Sequence, residues 1–350
     1  MLEVHDIGTT TAAPGRPALE VAEVVLASTV LTVRLLTLGA AIRSVETPDA
    51  RGRLGPVHLG LPTLADYEDA ARNPHLGGSI GRYANRIAGA RFSLDGRDVV
   101  LEPNEGCNQL HGGRDGFDRR VWQLLAADGA DDGGTARFRL VSSDGDQGFP
   151  GTVTATATYA VAGDTLRIAY EAIADAPTVV NLTNHGYWNL DGSPTVDEHH
   201  LALAADLVLP VDDAGVPSGP LRPVAGTPFD LRARTRLGPA MASHPPGFDH
   251  CFAVTGRAGT LRAAAVLDAP ASGRWMAVRT DQLGVQLYTG NNLRDPFGTH
   301  GSVSLETECF PDTPNRPELG SARLGPGERY ANVTELRFGT GRPPGVDEVE

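Results

Sequence analysis

The chain has 350 residues, 41% of them apolar and 6% aromatic, enough to bury a substantial core and too many for wholesale disorder. Thirty Lys plus Arg against 43 Asp plus Glu leave a formal charge of -13, which opposes general binding to nucleic acid or to an anionic membrane. No basic leader with an apolar centre opens the sequence and no apolar run could span a bilayer, so a cytoplasmic protein is expected. Cys107, Cys251 and Cys309 are too widely spaced to suggest a zinc knuckle or a redox pair.

After a Thr-, Pro- and Gly-containing start expected to be loose over residues 1–18, the runs 20–28 and 30–38 predict strands, with a bend at Gly39 before a further strand-like run at 41–45. Residues 64–73 predict at most a short helix. The glycines of 77–87 lack the strand, helix and spacing of a nucleotide loop and are expected to permit close packing. Arg91 to Arg97 carries an Asp-Gly turn and predicts a hairpin; the polar stretch 104–113 that follows offers His111 as a candidate imidazole.

Strands are predicted at 121–127 and 135–142, joined by a solvated acidic turn at 128–134. Alternating threonines predict a strand at 152–161, and 166–170 predicts its antiparallel neighbour. Short strands at 201–203 and 207–209 precede a Pro- and Gly-rich loop at 210–229, and residues 232–242 show neither a two-fold nor a helical pattern. Further strands are predicted at 248–254, 261–267, 275–278, 285–288, 302–310 and 330–338. Many short strands and few helix signals favour one large all-β sandwich over a doubly wound sheet.

The chemistry concentrates in Val179-Val180-Asn181-Leu182-Thr183-Asn184-His185-Gly186-Tyr187-Trp188-Asn189-Leu190, where an apolar run meets amides, an imidazole and two aromatic rings. Glu306, in Ser304-Leu305-Glu306-Thr307-Glu308, is the second centre, and with His185 it suggests an acid and a base acting on one ligand. Asn, Asp, His and Arg in separate glycine-bearing loops suit a polyhydroxylated molecule, against whose C–H face Tyr187 or Trp188 could lie. Asp249 and His250 are adjacent on a strand and so point to opposite faces, while His199-His200 reads as a solvated hairpin edge. No HExxH pattern, cysteine cluster or Gly-x-Ser-x-Gly elbow points to metal or serine chemistry.

Taken together, 181–190, 81–87, 108–113, 248–252, 288–291 and 305–315 resemble the aldose 1-epimerase (galactose mutarotase) family, over about residues 21 to 338. The resemblance implies a single domain over 1–350, a galactose-mutarotase-like β-sandwich (supersandwich) with a concave sugar cleft and a C-terminal tail at 341–350. By matched motifs it implies His185 as general acid and Glu306 as general base. Asn85, Arg86, His111, Asp249, Gln286 and Asn291 are implied as sugar-binding or supporting residues. Glu306 would take the proton of the anomeric hydroxyl while His185 protonates the ring oxygen, with no metal, nicotinamide or other cofactor required.

Gly186 and Trp188 stand where the family motif resembles Ser and Phe, and Glu308 stands where Gln is common. The partner implied is a free monosaccharide or short reducing sugar, and the chain is expected to be a monomer, with a homodimer as the alternative. Two other classes remain open at this point. A noncatalytic carbohydrate-binding protein would bind sugar without interconverting it, and a glycoside hydrolase would cleave a glycosidic bond, ordinarily with two carboxyl groups.

Overall fold

A computed structural model describes residues 1–12 and 17–349. Among these the chain forms an antiparallel sandwich in three main sheets. The largest has nine strands, in the spatial order Gln123–Ala130, Gly133–Ser142, Val153–Ala162, Thr165–Ala174, Tyr330–Thr340, Arg274–Thr280, Arg262–Ala269, His200–Leu203, Thr235–Arg236. The long strand Tyr330–Thr340 pairs on both sides and joins the two halves of that sheet. A six-stranded sheet runs Tyr187–Trp188, Val303–Glu308, Gly284–Tyr288, Asp249–Val254, Ala205–Val208, Arg222–Pro223, and the first five strands of the chain make a third.

Alternation explains the packing. In Val153–Ala162, Val153, Ala155, Ala157 and Tyr159 enter the core while Thr154 and Thr158 stay partly exposed on the other face. One continuous apolar cluster draws Val24, Leu26 and Val33 from the five-stranded sheet, Phe138, Tyr159 and Phe338 from the nine-stranded sheet, and Phe252, Val285 and Leu305 from the six-stranded one. Leu305 and Thr307 of Val303–Glu308 turn toward the nine-stranded sheet, where the Thr307 and Thr334 hydroxyls bond. Ser304, Glu306 and Glu308 therefore occupy the opposite face of the same rigid strand.

Several expectations need correction. Residues 1–18 are not uniformly loose, because Leu2–Thr9 pairs antiparallel with Glu20–Ala27, and Leu2 packs on the core; residues 13–16 lie outside the described set. The hairpin expected to turn through 128–134 turns at 131–132, since Gln123–Ala130 and Gly133–Ser142 stay paired to that point. A helix does form at Leu237–Ser243, burying Leu237, Ala240 and Met241. The helix expected over 64–73 stops at Glu68, although Thr63 and Asp66 close a capping box at its start. His199 is fully buried, and its Nε2 accepts from the Leu190 N–H at 2.9 Å, so it is no solvated edge. Among the described residues no helix is long and apolar enough to cross a membrane.

Candidate active site

The exposed face of the six-stranded sheet floors a cavity of about 180 Å³. Asp249, Gln286 and Glu306 come from three successive strands, with Gln286 directly opposite Glu306 in the ladder. Tyr187, Tyr288 and Asn292 add the near wall, and the far wall is made by Pro74, His75, Asn85, Arg86, Glu105, Leu110 and His111. A two-residue ladder sets Arg86 opposite Leu110 and so carries His111 to the rim. Asn85, His111 and His75 all have positive φ, at 64°, 53° and 64°, a conformation that non-glycine residues hold only when their surroundings fix it.

The amides of the His185 motif do not reach into this cavity. Asn181 donates to the Ala84 carbonyl and accepts from the Cys309 N–H, clamping the segments that carry Asn85 and Glu308. Thr183 bonds the Thr307 carbonyl, Asn184 the Gly77 carbonyl, and Asn189 the Ser193 and Gly301 carbonyls. They satisfy backbone groups and hold the catalytic candidates in place. Trp188 is likewise buried against His58 and Phe338 rather than facing a ligand, and only Tyr187 lines the cavity, stacked on His185 at 4.8 Å.

His185 Nε2 lies 3.6 Å from Glu306 Oε1, and both side chains are almost wholly buried. Burial is the main reason the His185 imidazole falls to about 3, with the nearby His75 acting in the same sense and Asp118 opposing it. Burial also lifts the Glu306 carboxyl well above its usual range; Glu308 and Asp249 add to the rise and Arg86 opposes it. Both shifts act in the same sense, favouring a neutral imidazole and a protonated carboxyl over the ion pair.

Arg86 makes a bidentate bond to Glu105 at 2.7 and 2.8 Å and reaches Asp249 at 3.9 Å. Burial works against its charge, but these carboxylates overcome that and raise its pKa. Gln286 Nε2 donates to Asp249 Oδ1 at 2.6 Å, and Asn85 Nδ2 donates to Glu308 Oε1 at 3.0 Å. Glu306 Oε2 and Gln286 Oε1 line the cavity and find no hydrogen-bond partner among the described residues, so the sheet offers polar atoms suited to ligand hydroxyls; Glu308 Oε2 is also unpartnered but lies outside the cavity lining.

Of the eight residues singled out in the sequence, His185, Glu306, Asn85, Arg86, His111, Asp249 and Gln286 line one cavity. Asn291 does not; its side chain bonds Thr289 and the Phe248 carbonyl and fixes the turn, leaving its neighbour Asn292 at the cavity edge. His75 and Glu105 were missed, because neither stands in a motif and only the folded walls bring them in. His250 turns away from Asp249 onto Phe229 and His244, as strand alternation requires.

The ligand atoms of His111, His185 and Glu306 lie within 4.8 Å of one another. That composition could hold a cation, but ligands each about 2.1 Å from a tetrahedral zinc would stand about 3.4 Å apart, and this set is wider. The spacing suits a small oxygen-bearing molecule between acid and base.

Comparison with known proteins identifies the family and fold. Residues 23–337 match the family described as aldose 1-epimerase. The aldose 1-epimerase of Escherichia coli K12 is 38% identical over 324 residues, covering 88% of this chain and 92% of that protein. The galactose mutarotase of Homo sapiens is 39% identical over 324 residues, covering 89% and 92%. Among solved structures, a galactose 1-epimerase from Lactobacillus acidophilus superposes with a TM-score of 0.84 at 27% identity, covering 98% of this chain and all of that one.

Proposed function

Because the chain belongs to the aldose 1-epimerase family, we propose that His185 and Glu306 carry out its isomerase chemistry, opening and reclosing the ring of a free aldose. The activity is that of a mutarotase, interconverting α and β anomers. The observation that carries the residue assignment is the 3.6 Å approach of the His185 and Glu306 side chains in one cavity with Arg86, His111, Asp249 and Gln286. The anomeric hydroxyl and the ring oxygen are bonded to the same carbon, so one small group can meet both residues.

Glu306 as carboxylate takes the proton of the C1 hydroxyl. The electron pair forms the carbonyl as the bond from C1 to the ring oxygen breaks, and protonated His185 delivers its proton to that oxygen. Rotation about the bond from C1 to C2 exposes the other carbonyl face, and the same transfers in reverse close the ring as the other anomer. The open-chain form is met by a neutral imidazole and a protonated carboxyl, the state burial favours. The cyclic sugar needs the ion pair instead, one proton moved across the pair. Arg86, the one cation in the set acting on Glu306, favours its ionised form.

Arg86, His111, Asp249 and Gln286 are proposed to hold the sugar hydroxyls, with Asn85 supporting Arg86 and His111 through its backbone and side chain. The chain is proposed to act as a cytoplasmic monomer, in keeping with three unpaired cysteines and its net negative charge.

Polarimetry of freshly dissolved α-D-galactose tests the assignment. The unaltered protein should speed relaxation to the same final rotation, and Glu306→Gln and His185→Asn should each lower kcat about 10² to 10⁴-fold while remaining folded. Undiminished catalysis in either variant would remove that residue from the mechanism. Turnover of a pure methyl glycoside without any effect on free anomers would replace it with hydrolysis.

A further inference from the structure

His75 lies outside every motif of the sequence, yet it is built into the cavity from several sides. Its ring meets His111 edge-on at 4.8 Å and lies nearly parallel to His185 at 6.0 Å. Its backbone has a φ of 64°, and its carbonyl accepts from the Gly78 N–H at 3.0 Å. Its Nδ1 lies 2.8 Å from Asp118 Oδ2, and Arg119 Nε meets the same oxygen at 3.1 Å. Asp118 is buried, and a Cβ at position 78 would fall 2.6 Å from its own Cβ, so Gly78 leaves the space that Asp118 fills.

These contacts settle the polarity of the two imidazoles. Burial alone would raise the Asp118 carboxyl, but His75 and Arg119 overcome it and hold the group ionised, able only to accept. A neutral His75 therefore carries its hydrogen on Nδ1 and presents Nε2 as an acceptor. His111 is the reverse: its Nδ1 accepts from the Asn85 N–H at 3.2 Å, which leaves Nε2–H as a donor. A donor ring and an acceptor ring stand side by side on one wall.

We propose that His75 is a substrate-contacting, specificity-determining residue, its Nε2 accepting a hydrogen bond from the sugar hydroxyl next to the one to which His111 donates. The proposal rests on the mutarotase reading of the same cavity. Each hydroxyl of a vicinal diol both donates and accepts, so an adjacent acceptor and donor match such a pair and reject a sugar lacking one member.

His75→Asn places an amide nitrogen where Nδ1 stood, keeping the Asp118 bond and removing the reach of Nε2, whereas His75→Gln extends an amide oxygen toward the Nε2 position. For galactose, His75→Asn is expected to raise KM about tenfold with kcat within about threefold, and His75→Gln to recover most of the loss. Of the 2-, 3- and 4-deoxygalactoses, one that the unaltered enzyme disfavours should be disfavoured no longer by His75→Asn.

An unchanged KM in His75→Asn, a loss confined to kcat, or a full set of deoxy-sugar penalties retained in that variant would each overturn the proposal. If His75→Asn does not fold, the deoxy series on the unaltered enzyme decides, and equal KM for all three and for galactose would overturn it. If the unaltered protein accelerates no aldose, the mutarotase reading itself fails. The contact is then judged by calorimetric titration of galactose, where equal affinity of the unaltered protein and His75→Asn counts against it.

Discussion

Glu308 shares a strand face with Glu306 and is fully buried, with one oxygen bonded to Asn85 and the other without a partner among the described residues. Burial is the main cause of its rise from 4.5 to about 8; the Asn85 bond opposes the rise and Asp249 adds to it. Because the folded chain holds this proton more tightly than the unfolded one, the stability it contributes is full below about pH 4.5. It is lost as pH rises through about 8. Glu308→Gln, which keeps the shape of the neutral acid, should match the unaltered Tm near pH 5 and exceed it by several degrees near pH 9. Scans at the two pH values check this, and an equal Tm at both would place the proton elsewhere. The same reasoning applied to His185 predicts no loss of kcat/KM centred on the ordinary imidazole value of 6.5, since a second proton reaches the pair only near 3. A profile in which kcat/KM falls as pH drops through 6.5 would contradict it. At this scale the sequence exposed the residues that sit in dense polar motifs, His185 and Glu306 above all. His75 stayed hidden because its significance is its pairing with Asp118, 43 positions away.

The strand Tyr187–Trp188 shows how neighbouring residues compensate. A Cβ added at Gly186 would lie 3.0 Å from three atoms of the Trp188 indole, closer than side chains tolerate without displacement. The two positions that depart from the family motif are thus one exchange of volume, a smaller residue beside a larger ring. Gly186→Ser alone should cost about 1 to 3 kcal/mol, and Trp188→Phe should relieve much of that cost. Denaturant titrations of both single variants and the double variant measure the coupling, and additive losses would refute it. Strands were legible where apolar and polar residues alternate, as in Val153–Ala162, where Thr154, Thr156 and Thr158 alternate with Val153, Ala155, Ala157 and Tyr159. The helix Leu237–Ser243 was not, because its buried positions 237, 240 and 241 span little more than one turn and Gly238-Pro239 mask the pattern. Proline is tolerated there because the first turn of a helix has no internal use for its N–H.

Across the described residues, the main apolar cluster draws on all three large sheets, with smaller clusters beside it. We propose that residues 1–350 behave as one domain and unfold in a single cooperative transition. Trp122, Trp188 and Trp275 lie in different parts of the fold, so fluorescence and far-UV circular dichroism should give coincident denaturant curves. Two separated transitions would divide the domain. The reverse side of the strand Val303–Glu308 gives Glu306 its setting, since Leu305 and Thr307 are locked between the sheets while Glu105, Asn292 and His75 stand on loops. The cavity lining is thereby divided between strand residues such as Asp249, Gln286 and Glu306 and loop residues that differ from them in tolerance to change. Directed evolution toward another aldose has room to vary the loop residues, whereas substitutions under the strand of Glu306 would be purged for loss of folding before they could alter the choice of sugar.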